Sequence, residues 1–77
     1  MNSTLKMSCE QYAIAEAESD DCPQRVQASL PSFGRTLDKL VANRDLSGVI
    51  TTKRVLATTF VEVRLVRHAL AQIEASK

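Results

Sequence analysis

Thr51-Thr52-Lys53-Arg54-Val55-Leu56-Ala57-Thr58-Thr59-Phe60-Val61-Glu62-Val63-Arg64-Leu65-Val66-Arg67-His68-Ala69-Leu70-Ala71-Gln72-Ile73-Glu74-Ala75 is the stretch that decides the fold. Leu56, Thr59, Val63, Val66, Leu70 and Ile73 recur at alternating spacings of three and four, the seam of a helix packed along another helix. A strand competes for Thr58 to Leu65, which is rich in β-branched residues and alternates Val61, Val63 and Leu65 with Glu62 and Arg64. Helix is the expectation. The helical period continues to Ile73 without Gly or Pro, and a strand of that span would far exceed the usual upper length of about ten residues.

Working outward, Ser32 to Asn43 place Phe33, Leu37, Leu40 and Val41 on one helical face, and Asn43-Arg44-Asp45-Leu46-Ser47-Gly48 clusters turn and capping residue types. Leu30-Pro31-Ser32 interrupts a short helix before them, because the residue preceding a proline is driven out of the α region. Ser19-Asp20-Asp21-Cys22-Pro23 combines capping side chains with a proline suited to a first helical turn, so the chain restarts near residue 22. Residues 3 to 18 hold no Gly or Pro and carry a thin apolar stripe of Leu5, Cys9, Tyr12 and Ala13. The expected fold is therefore all-α: a small helical bundle built on a C-terminal α-hairpin, with helices at about residues 32–44 and 51–75 and one or two N-terminal helices. Residues 1–77 form one domain, with an acidic, loosely docked N-terminal part over 1–22 and the core hairpin over 30–75. In outline such a hairpin looks like the small helical hairpins of bacterial secretion systems, both needle-type subunits and their chaperones, and like small phage-encoded inhibitors, a likeness of shape alone.

Composition sets the limits within which this fold must work. Leu, Ile, Val and Phe supply 20 of the 77 residues, enough apolar matter for folding, yet a chain this short stays mostly surface. Of the eighteen Leu, Ile and Val, only Leu5, Ile14 and Val26 precede residue 30, so the core is expected after that point. Charge is also divided. Glu10, Glu16, Glu18, Asp20 and Asp21 against Lys6 give residues 1–23 a net of −4, and the remaining nine cations and four acids give +5, for the total of +1. Either these are solvated faces of opposite sign, or the acidic part lies on the basic C-terminal helix. No apolar run approaches the ~20 residues of a membrane span, and the opening residues lack a signal-type stretch. Cys9 and Cys22, too few for a disulfide framework and not in metal-ligand spacing, read as reduced thiols of a cytoplasmic protein.

Chemistry is sparse, and no catalytic, metal or cofactor-binding residue is expected. His68, the single histidine, is read as a solvated residue between Arg67 and Ala69, and Cys9 has no base near it in sequence. The acids at residues 16–21 lack calcium-loop spacing, and Gly34 and Gly48 do not make a phosphate loop. On a helical wheel Val61, Leu65 and Ala69 fall in a stripe nearly opposite Leu56, Val63 and Leu70. A helix apolar on two faces must be covered on both, by its own N-terminal helix or by another molecule. With Arg54, Arg64 and His68 at the rim, Val61, Leu65 and Ala69 are the expected partner-binding surface. The function expected is non-enzymatic binding of another protein, of adaptor, inhibitor or chaperone type. Two alternatives stand beside it: a DNA- or RNA-binding regulator using Lys53, Arg54, Arg64, Arg67, His68 and Lys77, and a self-assembling structural subunit.

Overall fold

The computed structural model describes residues 6–76, which hold five α-helices and no strand. They are α1 (Cys9–Ala17), α2 (Gln24–Gln27), α3 (Leu30–Ala42), α4 (Leu46–Val55) and α5 (Phe60–Ala75). The all-α class is as the sequence reading has it, and residues 60–66 are helix rather than strand. Leu5, the first residue of the thin stripe, and Lys77 lie outside the described residues.

α1 begins in a capping box. The Ser8 hydroxyl accepts from the Gln11 N–H, and the Gln11 side chain accepts from the Ser8 N–H, each at 3.0 Å. Its buried stripe is Cys9, Ala13 and Ala17, small residues one turn apart, and it packs on α3. The crossing is close enough that a Cβ on Gly34 would stand 2.6 Å from the Cys9 carbonyl oxygen and 2.8 Å from the Glu10 Cα. One turn further along α3, the Asp38 carboxylate accepts from the Cys9 N–H at 2.6 Å and the Glu10 N–H at 3.1 Å. Arg35 completes the contact with an ion pair to Glu10 at 3.0 Å. The N-terminal helix expected to dock loosely is thus pinned at its positive end by a carboxylate from another helix. The core accordingly reaches back beyond residue 30 to Cys9, Ala13, Ala17 and Val26.

Two departures from the expected hairpin follow from capping chemistry. First, the turn is confined to Asn43–Asp45. Arg44 takes a left-handed φ of 52°, its N–H donates to the Val41 carbonyl and the Asp45 N–H to the Leu40 carbonyl, the 6→1 and 5→2 pattern that ends α3. Asp45 at once caps α4 by accepting from the Gly48 N–H at 2.9 Å, so Leu46, Ser47 and Gly48 are helical. Second, no single helix spans 51–75. α4 stops at Val55, and α5 starts after Thr59, because one Glu62 carboxylate oxygen accepts from the N–H and the hydroxyl of both Thr58 and Thr59 at 3.0–3.1 Å. The Thr59 hydroxyl in turn accepts from the Glu62 N–H, a second capping box. The long hairpin, and the likeness of shape that rested on it, therefore gives way to three shorter helices over 30–75.

α5 is the centre of the bundle and packs on α1, α3 and α4. Val61, Glu62, Leu65, Val66, His68, Ala69 and Ile73 are buried, and on a wheel they cover one broad arc. Of the expected seam, Thr59, Val66 and Ile73 are buried, Val63 and Leu70 half-buried, and Leu56 is exposed. The two opposed stripes thus resolve into a single wide face whose centre lies nearer Val61, Leu65 and Ala69.

Two sets of variants test this packing by urea denaturation. Leu65→Ala is expected to lower stability by about 2–5 kcal/mol, and Leu56→Ala to change it by less than about 0.5 kcal/mol; the reverse order would restore the unbroken seam. Gly34→Ala should destabilise by about 1–3 kcal/mol although alanine is the better helix former, since the added methyl meets backbone that cannot swing aside. Asp38→Ala, which strands the Cys9 and Glu10 N–H groups, should cost a similar ~1–3 kcal/mol.

Candidate functional site

The expected partner surface is largely interior. Val61, Leu65 and Ala69 have no solvent exposure in the single chain, and His68 is buried beside them. Their cover is α1 together with α3 and α4, the own-chain alternative of the two. The reason lies in a polar row that includes His68, which the sequence reading places in solvent. Arg64, His68 and Gln72 stand four residues apart on α5, on its α1 side, and each grips α1 or the residues just before it. Arg64 pairs with Glu16. His68 stacks on Tyr12, ring centroids 4.6 Å apart, while its Nε2 donates to the Met7 carbonyl at 2.7 Å. Gln72 also donates to that carbonyl, at 2.6 Å, and accepts from the Cys9 thiol at 3.4 Å. The acidic N-terminal part does lie on the cationic C-terminal helix, through Glu16 and Arg64. The i, i+4, i+8 spacing of Arg64, His68 and Gln72 was the signal for this row.

Of the six expected binding residues, Arg54 alone is among the exposed residues. Arg64 is half-exposed, held by Glu16, with its guanidinium 4.8 Å above the Phe60 ring. These two cations border a different apolar surface. Six large apolar residues are exposed in the described chain, and five of them, Leu46, Ile50, Val55, Leu56 and Phe60, fall between residues 46 and 60. Val55 is 67% exposed, Leu56 54% and Phe60 50%. Leu56 is among them because the Thr59–Glu62 box turns the chain at residues 56–59 and lifts it out of the helical seam. Leu46 and Ile50 lie one turn apart on α4, at the edge of the face that buries Val49 and Thr52. Sequence reading missed the surface because it assigned Leu46 to a turn and Leu56 to the core.

The buried polar side chains are accounted for within the fold. An open cleft lined by Met7, Tyr12, Ala15 and Glu16 lies beside the His68 stack, and its titratable members are engaged there. Among the described residues no buried side-chain polar atom lacks a hydrogen-bond partner, and no group of three His, Cys, Asp or Glu is placed to hold a metal ion. No described helix is long and apolar enough to cross a membrane. Both cysteines are free thiols, Cys9 buried and Cys22 half-buried. Burial, reinforced by the neighbouring Asp38 carboxylate, pushes the Cys9 thiol up to about 12 from an ordinary 9.0. Compared with known proteins, the chain matches no family model, no curated sequence and no solved structure. The function must accordingly be argued from these residues.

The Cys9 thiol supplies a pH test of the α1 contact. Between pH 9 and 12 the unfolded chain loses the Cys9 proton while the folded chain keeps it, so the folded state binds more protons and its stability falls as pH rises. Chemical denaturation from pH 8 to 11 should show wild type losing stability more steeply than Cys9→Ala. Parallel profiles would place the thiol in contact with solvent.

Proposed function

We propose that this is a non-enzymatic protein that works by binding another protein, through the surface formed by α4 and the α4–α5 corner. The observation that carries the reading is the concentration of Leu46, Ile50, Val55, Leu56 and Phe60 in solvent within one stretch, bordered by Lys53, Arg54 and Arg64. An apolar centre with a charged rim is the composition of a contact that must also be soluble alone. The free thiols of Cys9 and Cys22 suit the reducing cytoplasm, where we place the protein. An adaptor, an inhibitor and a chaperone would all present such a surface.

A nucleic-acid reader is less well supported. α5, the helix richest in expected cations, has Val61, Glu62, Leu65, Val66, His68 and Ala69 packed inside the bundle, and its Arg64 is taken by Glu16. A recognition helix must instead offer its face to a groove. Self-assembly is separated from hetero-association by the experiment below.

A photo-crosslinking residue placed at Ile50 or Leu56 in cells should yield one discrete adduct with a different protein, and the same residue at Gln24 on α2 should not. Leu56→Asp and Phe60→Asp should erase the adduct with melting temperature unchanged within about 2 °C, as befits exposed positions. Adducts only with a second copy would make the protein a structural subunit. Adducts only with nucleic acid would make it a regulator.

A further inference from the structure

We infer that the ligand of α4 is an acidic amphipathic helix of another protein, laid along Leu46 and Ile50. The inference rests on the binding role proposed above and adds the chemistry of the occupant. Around the α4 wheel, Leu46 and Ile50 lie between Lys53 on one side and Arg54 on the other, and Ser47, Thr51 and Val55 continue the exposed arc beyond Arg54. No acid stands on this arc. Asp45, at the helix start, has its carboxylate occupied by the Gly48 N–H, and Glu62, at the far corner, is buried with four donors on one oxygen. A partner that covers Leu46 and Ile50 must therefore face two unpaired cations, and acidic residues flanking an apolar stripe are what match them.

The form of the partner follows from what the bundle can offer. The described residues hold no sheet edge, so a strand cannot add to this surface by main-chain pairing. Polyproline recognition needs an aromatic-lined groove, and here Tyr12 is stacked on His68, leaving Phe60 as the exposed ring near α4. What remains is a helix whose side chains straddle a ridge of residues four apart, and Leu46, Ile50 and Arg54 form such a ridge. A second copy of this chain is a poorer fit. Glu10 and Glu16 are spent on Arg35 and Arg64, and the N-terminal stretch that carries the exposed Glu18, Asp20 and Asp21 has one exposed large apolar residue among the described residues, Ile14.

The test titrates isotopically labelled full-length protein with two synthetic amphipathic peptides of about 18 residues, identical in their leucine stripe and carrying either Glu or Lys elsewhere. The Glu peptide should give saturable amide shifts confined to residues 46–60, weakening about tenfold or more between low and high salt. Ile50→Asp, and separately Lys53→Glu with Arg54→Glu, should each lower its affinity at least about tenfold while the remaining amide spectrum stays that of the folded protein. No binding by the Glu peptide overturns the inference. Equal binding by the Lys peptide on residues 46–60 also overturns it, and leaves the docking surface itself standing. Shifts outside 46–60 with every peptide remove both. Shifts across α4 that grow with protein concentration alone give the face to a second copy. Sedimentation with phosphatidylglycerol vesicles, abolished by the Lys53 and Arg54 changes and unaccompanied by peptide binding, gives it to a membrane surface.

Discussion

The bundle depends on the crossing of α1 over α3 at Gly34 and Asp38. α1 brings little apolar area of its own, because its buried stripe is Cys9, Ala13 and Ala17. Small side chains stabilise only through close approach, and close approach requires that α3 have no side chain where the Cys9 and Glu10 backbone passes. Gly34 gives up about 1 kcal/mol of helix propensity to permit it. Asp38, on the same face one turn on, then fixes the axial position of α1 by accepting from its first two N–H groups. The carboxylate also lies at the positive end of the helix dipole, where a negative charge is favoured.

Once α1 is set by that crossing, it presents Tyr12 and Glu16 to α5, and the polar row of α5 has something to bind. Arg64, His68 and Gln72 satisfy part-buried side-chain and main-chain groups, among them the Met7 carbonyl with its two donors. Behind this row Val61, Leu65 and Ala69 become dry. Removing α1 would expose them together with the row, so a nine-residue helix with a small-residue stripe closes the core of the longest helix.

The helical class, the helix ending near Asn43 and the apolar ladder from Val61 to Ile73 are legible in the sequence because a 3.6-residue period repeats often enough to be read. What was not legible lies where one side chain overrules that period. Leu56 and Thr59 fit the seam by spacing, yet Thr59 and Glu62, three residues apart, are also the Ser/Thr-x-x-Glu signature of a helix start, and four hydrogen bonds to one carboxylate oxygen outweigh continuation of the α4 helix. Ser8 and Gln11 carry the same kind of signature at the start of α1. Arg44 gives no signal at all, since a left-handed residue after a helix is ordinarily glycine. The candidate surface was hidden in part by the same break, because the period places Leu56 in the core, and in part because Leu46 reads as a turn residue.

The break at residues 56–59 leaves an energetic imbalance that bears on function. Leaving Leu56 and Phe60 half or more in water forgoes roughly 1–2 kcal/mol for each relative to burial, and a capping box recovers about 1–2 kcal/mol in all. The cap alone therefore does not offset what is exposed. Some return comes from α4 itself, which the break frees to fold back and bury Val49 and Thr52 against α3 and α5. Most of Val55, Leu56 and Phe60 stays uncovered all the same, in a chain too small to have apolar area to spare. The turn away from the seam leaves apolar side chains in water beside Arg54 and Arg64, and a second surface that removed them from water would add the burial that the monomer forgoes.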